Sequence, residues 1–299
     1  MKKRVYAIMG ASGHIGSAAT RRLLENGQAV RAIGRSPEKL KELQARGAEL
    51  YTASFDDSEA LAQAFTGCDG IFTMIPPDML QADYRAFQNQ VGEAIARAIG
   101  ESGIRQVVNL SSVGGHLPAG TGVVLGLHFQ EVRLNALSGV NVVHLRPATF
   151  MENLLWQVDL LRSQGIFGEP YKPDLKIAMI ATQDIGQRVA DLLLSLDFNG
   201  SSTQELLGQR DLTMPEVASI VGQAIDKPDL TYVRFTYEDY GAAMAQMGIP
   251  QKSIELLNEL YRGINEGILE PAEPRSKRNT TPTTIEEFVQ TVFLPAYRA

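Results

Sequence analysis

The stretch VYAIMGASGHIGSAATRRLL, residues 5–24, joins a short apolar run to a glycine-rich turn and then to a segment with helical spacing. The apolar run has the length and β-branched content of a buried strand. Three glycines in the spacing Gly-x-x-Gly-x-x-Gly allow a tight turn and a close backbone approach to a pyrophosphate at the helix N-terminus. The stretch therefore predicts a dinucleotide-binding strand-turn-helix unit. Its candidate cofactor-binding residues are Gly10, Ser12, Gly13, His14, Ile15 and Gly16.

The alternation of strand and helix continues to about residue 150. Strand-like runs recur at 29–33, 49–52, 70–75, 107–110 and 140–145, and helical segments lie between them at 18–26, 37–46, 58–65 and 84–102. Such a repeat predicts a parallel sheet with helices on both faces. We therefore predict an α/β fold, a doubly wound parallel sheet of the Rossmann type, in residues 1–150.

The pattern loosens in residues 151–299, which are predicted to form a smaller C-terminal α/β lobe that binds substrate and is partly interleaved with the first domain. The segment 271–282 is rich in Pro, Ser, Thr and charge, and it is predicted to be an exposed connector before a final docking helix.

Composition narrows the classes of partner. The chain of 299 residues is 44% hydrophobic and 21% charged, with a net charge of −6, so it lacks the basic surface that nucleic acids and anionic lipids require. Cys68 is the only cysteine and the four histidines are scattered, which predicts no disulfide and no metal site. No apolar run is long enough to span a membrane. No signal-peptide cleavage region is recognised. We expect a cytoplasmic protein, and a homodimer is the generic expectation.

The residues after the next three strands are further candidates for cofactor contact. Arg35 follows the second strand where an NAD site usually presents a carboxylate, so it favours the 2′-phosphate of NADP(H), and Lys39 is a second cation or simply a solvated lysine. Phe55 and Asp56 follow the third strand, where the ring either flanks adenine or packs in the core. Ile75 and Pro76 end the fourth strand and border the nicotinamide ribose, unless the prolines merely stop the strand.

Together these residues resemble the short-chain dehydrogenase/reductase superfamily, and within it the atypical NmrA-like group. The resemblance covers the glycine loop, Arg35, LSS at 110–112, LRPATFMENLL at 145–155 and MIATQDIG at 179–186. One position departs, because the acid often found before the adenine-flanking residue is Ser54 here. The resemblance implies NAD(P)H as the cofactor and quinones, azo compounds or dyes as acceptors.

The larger departure concerns the proton donor. Dehydrogenases of the superfamily generally use Tyr-x-x-x-Lys, and that spacing occurs nowhere in this chain. The segment GLHFQEV, residues 126–132, carries His128 instead. Candidate replacements are His128, which is alternatively a helix residue making a backbone contact, and the serines Ser111 and Ser112 after the fifth strand.

A missing acid disfavours unactivated ketones and favours electron-poor aromatic acceptors that take a proton from water. We predict an NADPH-dependent reductase of such acceptors, with Ser111 and His128 as catalytic candidates. Its predicted substrate-binding residues are Ser112, Phe150, Met151 and Asn153. The alternative is a non-catalytic sensor of nicotinamide redox state, and an epimerase of the nucleotide-sugar type is a weaker third possibility.

Overall fold

The computed structural model describes residues 3–299, which form twelve strands and twelve α-helices. The strands are β1 (Val5–Met9), β2 (Ala29–Gly34), β3 (Glu49–Thr52), β4 (Gly70–Thr73), β5 (Gln106–Leu110), β6 (Asn141–Pro147), β7 (Thr149–Phe150), β8 (Phe167–Glu169), β9 (Ile177–Ile180), β10 (Ser201–Leu206), β11 (Asp211–Leu212) and β12 (Tyr232–Arg234). The helices are α1 (His14–Glu25), α2 (Lys41–Ala45), α3 (Ser58–Phe65), α4 (Tyr84–Ser102), α5 (Leu125–Asn135), α6 (Gln157–Gln164), α7 (Thr182–Ser195), α8 (Met214–Ala224), α9 (Tyr237–Gln246), α10 (Gln251–Asn265), α11 (Ile285–Phe288) and α12 (Leu294–Arg298).

Seven strands form one parallel sheet in the order β10-β6-β5-β4-β1-β2-β3. Both faces are buried, because alternate side chains of β1 enter different cores: Tyr6 and Ile8 pack towards α1 and α7, and Ala7 and Met9 pack towards α3 and α4. The predicted doubly wound fold is confirmed. The chain reverses its direction across the sheet between β1 and β4, which places the binding crevice of such folds at their carboxyl ends.

A smaller lobe covers the carboxyl ends of these strands. It contains the three-stranded sheet β11-β9-β7, the two-stranded sheet β12-β8 and a large apolar core formed with α6 and α8–α12. Not all residues after 150 belong to this lobe, because α7 packs against α1 and β10 pairs in register with β6 of the large sheet. Residues 182–206 thus belong physically to the large sheet, whereas residues on either side of them build the smaller lobe.

The segment between α10 and α11 runs back along the edge strand β10. The Leu207 N–H donates to the Asn279 carbonyl at 2.7 Å, and the Ala272 N–H donates to a Glu205 carboxylate oxygen at 2.9 Å. Asn279 is buried although most of its neighbours are exposed. The last helical stretch, from α11 through a π-turn at Val289–Phe293 to α12, then docks on the lobe through Phe288 and Phe293. In residues 3–299, no helix is both long and apolar enough to cross a bilayer.

Candidate functional site: the crevice at the end of β1

The glycine loop after β1 forms a tight backbone cradle. Gly10 has φ +63°, a left-handed conformation that favours glycine, and its carbonyl accepts the Gly13 N–H at 2.9 Å. A Cβ atom on Gly16 would lie 2.3 Å from the Gly10 carbonyl oxygen and 2.9 Å from the Cα of Ala11. Glycine is therefore required at position 16 by the packing of the helix against the loop.

The helix after the cradle begins with open hydrogen-bond donors. Gly13 is the N-cap of α1, and no side chain caps this helix. The first-turn N–H groups have no acceptor within the helix, and the helix dipole adds partial positive charge there. His14 and Ser12 are both exposed beside these donors, whereas Ile15 is buried. The arrangement fits a dinucleotide, because it offers an anion unfilled donors and no side chain in the way.

Two neighbouring arginines of β2 and its end differ in what they bind. Arg31 donates to the carbonyls of Ala64 and Thr66 and pairs with Glu49, so its guanidinium is used by the fold. Arg35 directly follows β2, is exposed, and makes no hydrogen bond or ion pair with the described residues 3–299. Lys39, in the short 3₁₀ turn Glu38–Leu40, is also exposed. The Arg35 guanidinium could therefore bind a 2′-phosphate without first breaking a contact to the described residues.

The loop after β3 is held by its own hydrogen bonds. Asp56 accepts from the Ser54 hydroxyl and from Gln90 Nε2 at 3.0 Å, while Asp57 caps α3 by accepting the Ala60 N–H. Phe55 is 6% exposed and packs in the core between sheet and helices. Its burial matches the core alternative considered above, and an adenine contact by its ring stays a prediction.

The end of β4 touches the glycine cradle directly. The sulfur of Met74 lies 3.0 Å from where a Cβ of Gly10 would stand. Ile75 and Pro76, which follow it, are buried. The two loops that flank the β1/β4 switch point are thus in contact, and a nicotinamide ribose beside Ile75 and Pro76 remains a prediction.

On the other side of the crevice, a buried ion pair holds the end of β5. Arg146 of β6 donates to both carboxylate oxygens of Glu131 on α5, at 2.9 and 2.6 Å, and Ser111 donates its hydroxyl proton to the same carboxylate at 2.5 Å. All three side chains are buried. The hydroxyl of Ser111 is consequently committed as a donor, and only Ser112 beside it is partly accessible.

His128, on the first turn of α5, is held by a backbone carbonyl. Its Nδ1 lies 3.0 Å from the Gly115 carbonyl oxygen, and since a carbonyl only accepts, Nδ1 carries the proton. In the neutral ring Nε2 is therefore unprotonated, and only the imidazolium has an Nε2 proton to give. Gly115 also touches Ser111 and Glu131, because a Cβ there would lie 2.6 and 2.7 Å from their oxygens. The two catalytic candidates thus meet at this glycine, which sequence reasoning did not select.

The run Phe150–Trp156 presents two different faces. Residues three apart superpose on the 3₁₀ segment Met151–Trp156, so Asn153 and Trp156 face outward and Met151 and Leu154 face the lobe core. Phe150, which precedes the segment, is half-buried and packs against the core of the large sheet. Trp156 is 58% exposed, whereas Met151 is 2% exposed. A ligand contact fits the exposure of Asn153. For the half-buried Phe150 and the buried Met151 such a contact stays a prediction.

Another residue of this run, Glu152, has a structural task. Its carboxylate accepts the Thr182 N–H at 3.0 Å and also the Thr182 hydroxyl, so it caps the start of α7 from a different part of the chain. This contact joins the smaller lobe to the large sheet.

Two further buried groups lie outside the crevice. His144 bridges Asn109 and Asn135, and burial lowers its pKa to about 4, so it is a neutral sheet residue. Glu169, at the end of β8, accepts from Gln157 at 3.1 Å and from the Tyr261 hydroxyl at 3.2 Å, with no cation paired to it in the described chain. Burial raises the pKa of Glu169 to about 7. Within residues 3–299 no three His, Cys, Asp or Glu side chains are grouped as a metal site.

Comparison with known proteins identifies the family. The sequence model of the NmrA-like family matches residues 1–289. The chain belongs to the NmrA-like family. An NAD(P)H azoreductase of Xenophilus azovorans is 30% identical over 258 residues, which cover 85% of each chain.

Two solved structures are similar to this chain over nearly its whole length. The NADPH-dependent quinone oxidoreductase of Escherichia coli, in complex with NADPH, is 23% identical with a TM-score of 0.80, covering 96% of this chain and 99% of the other. NmrA, a negative transcriptional regulator solved with NADP, is 18% identical with a TM-score of 0.75, covering 100% and 98%. At these identities the two structures establish the shared fold.

Proposed function

We propose that this NmrA-like protein is an NADPH-dependent reductase of small, electron-poor aromatic acceptors such as quinones and azo compounds. The observation that carries the proposal is the pairing of an open glycine cradle with the unpaired Arg35 guanidinium at the end of β2. Residues 10–16 would hold the pyrophosphate, and Arg35 would hold the 2′-phosphate through charge-assisted hydrogen bonds. The azoreductase that covers 85% of this chain supports the cofactor class and the acceptor class.

The hydrogen bonds of the candidate proton donors limit which compounds the protein could reduce. The Ser111 hydroxyl donates its hydrogen bond to the Glu131 carboxylate, and His128 Nδ1 donates to the Gly115 carbonyl. Losing a positioned general acid costs about 10²- to 10⁴-fold, which disfavours simple ketones. When bound, the nicotinamide supplies a hydride, and an electron-poor acceptor then takes its proton from water. The exposed side chains of Asn153 and Trp156, with the accessible part of the half-buried Phe150, would provide the surface for such an acceptor.

The first experiment measures NADPH oxidation by the purified protein with a quinone, an azo dye and a simple ketone, together with direct NADPH titration. We expect turnover with the quinone or the azo dye and none with the ketone. Turnover of the ketone at a comparable rate would contradict the proposed acceptor class, and failure to bind NADPH would contradict the proposed cofactor.

Arg35→Ala tests the cofactor assignment. Removal of one charge-assisted contact should weaken NADPH binding by roughly 10- to 100-fold and leave NADH binding unchanged. Arg46→Ala is the matched control, because Arg46 is exposed and pairs only with Glu42 in the described chain. Equal losses for NADPH and NADH would remove Arg35 from the 2′-phosphate site.

A non-catalytic redox sensor is the second candidate. The observation that favours it is that protein acceptors already bind the hydrogen-bond donors of Ser111 and His128, the two catalytic candidates. Tight NADPH binding without oxidation by any acceptor would decide for the sensor. A cytoplasmic location and a homodimer remain predictions.

A further inference from the structure

A second cavity opens at the far edge of the large sheet. It has a volume of about 500 Å³ and lies between α7, the edge strand β10 and residues 278–281. Leu192, Phe198 and Leu206 form an apolar floor together with Val143, and the other lining residues are polar or charged. The space is large enough for a small organic molecule.

Two arginines without anionic partners line this cavity. Arg188 donates Nε to Gln204 at 2.9 Å, and its two terminal nitrogens have no acceptor in the described residues 3–299. The side chain of Arg278, on the opposite wall, makes no hydrogen bond or ion pair with those residues either. Burial lowers the pKa of Arg188. The negative charge of Asp191 raises that pKa, and the positive charge of Arg278 lowers it, so the net shift is downward. The Asp191 carboxylate itself is engaged by Arg22.

A buried hydroxyl adds to these donors. Thr281 lines the same cavity with 9% exposure, and its Oγ1 has no hydrogen-bond partner, although a buried polar atom without a partner normally costs stability. The hydroxyls of Ser202 and Thr203 also line the cavity. Asp197 contributes the one carboxylate among the lining residues, so the two arginines leave the wall net positive.

The cavity is separate from the crevice. β10 is the fourth strand away from β1 in the sheet order, which corresponds to about 19 Å at the usual ~4.8 Å spacing between strands. None of its lining residues belongs to the glycine loop or to the loops after β2, β4 and β5.

We propose that this cavity is a binding site for a small organic anion with a phosphate or carboxylate head group and a short apolar body. The head group would lie between Arg188 and Arg278 and accept from Thr281, which satisfies all three sets of donors. The apolar body would lie on Leu192, Phe198 and Leu206.

Calorimetric titration of the full chain with phenyl phosphate, benzoate and inorganic phosphate tests the site. We expect phenyl phosphate or benzoate to bind more tightly than inorganic phosphate, because only these two cover the apolar floor. Whichever of the two binds more tightly identifies the preferred head group. Inorganic phosphate binding as tightly as both would overturn the proposed organic ligand.

Variants place the bound anion. Arg278→Gln and Arg188→Gln should each weaken binding by at least roughly tenfold, and Thr281→Val by less. Arg278 is exposed, so its variant tests the site even if Arg188→Gln disturbs α7. Arg97→Gln, which removes an exposed charge from α4, should bind normally. Equal losses in Arg97→Gln, or loss in Arg35→Gln with normal binding in Arg278→Gln, would overturn the proposal, as would no binding of any probe.

Discussion

The two sides of the crevice differ in what their polar groups bind. On the β1–β2 side, the first turn of α1 and the Arg35 guanidinium have no protein partners in residues 3–299. On the β5–α5 side, Ser111 and His128 are already bonded to Glu131 and Gly115. Because an unfilled donor near a crevice is stabilised when a ligand arrives, the first side has the character of a binding surface and the second that of a supporting wall.

The largest expected effect comes from breaking the supporting wall. Glu131→Gln leaves the buried Arg146 guanidinium without a carboxylate, which should lower the free energy of unfolding by about 3–5 kcal/mol. Urea unfolding measures this change. Glu42→Gln, at an exposed pair with Arg46, is the control and should change stability by less than about 1 kcal/mol. Similar small changes in both variants would show that the wall does not depend on its ion pair.

Glu169 is a buried glutamate with no paired cation in the described chain, so replacing it should stabilise the protein relative to the wild type as the pH rises. The folded-state pKa of Glu169, about 7, lies above the usual 4.5, so the wild-type protein loses stability as the pH rises from about 4.5 through 7. Glu169→Gln cannot ionise there, and its stability relative to the wild type should therefore rise by about 2.5 kcal/mol between pH 5 and pH 8. Urea unfolding at successive pH values measures the difference, and a constant difference would mean that Glu169 does not titrate in this window.

A substitution at Gly16 in the glycine loop tests the β1–β2 side of the crevice. Gly16→Ala places a methyl group 2.3 Å from the Gly10 carbonyl oxygen, so the loop must move away from the helix. We expect a loss of about 1–3 kcal/mol in stability and a marked loss of NADPH affinity. Gly100→Ala, in the middle of open space on α4, is the control and should be neutral or slightly stabilising. Normal NADPH binding by Gly16→Ala would show that the cradle does not hold the cofactor.

The smallest effect is expected at His128. His128→Asn keeps a side-chain N–H near the Gly115 carbonyl but removes the imidazole ring, so turnover of electron-poor acceptors should fall by less than about tenfold. Turnover measured across pH is the test, with His116→Asn, an exposed loop variant, alongside it. A much larger fall that abolishes the pH dependence would make His128 the proton donor and reduce the difference between the two sides.

The sequence determined much of the sheet domain because its signals are local. β1, β3, α3 and α4 have the predicted bounds, since each is a short apolar or periodic segment bounded by turn residues. α1 begins at His14 rather than Ala18, because the last glycine of the loop lies inside its first turn, where glycine's low helix propensity conceals the helix. The segment 37–46 divides into a 3₁₀ turn and the short helix α2.

Tertiary structure alone decided which polar side chains are free. The glycine spacing and Arg35 could be recognised from sequence, because close backbone packing and a cation at a strand end depend on residues adjacent in the chain. The pairing of Glu131 with Arg146, the capping of α7 by Glu152 and the burial of Glu169 against Gln157 and Tyr261 join residues from 12 to 92 positions apart. Nothing local distinguishes such a glutamate from a solvated one, since its charge is stabilised or left unpaired only by what the fold places beside it.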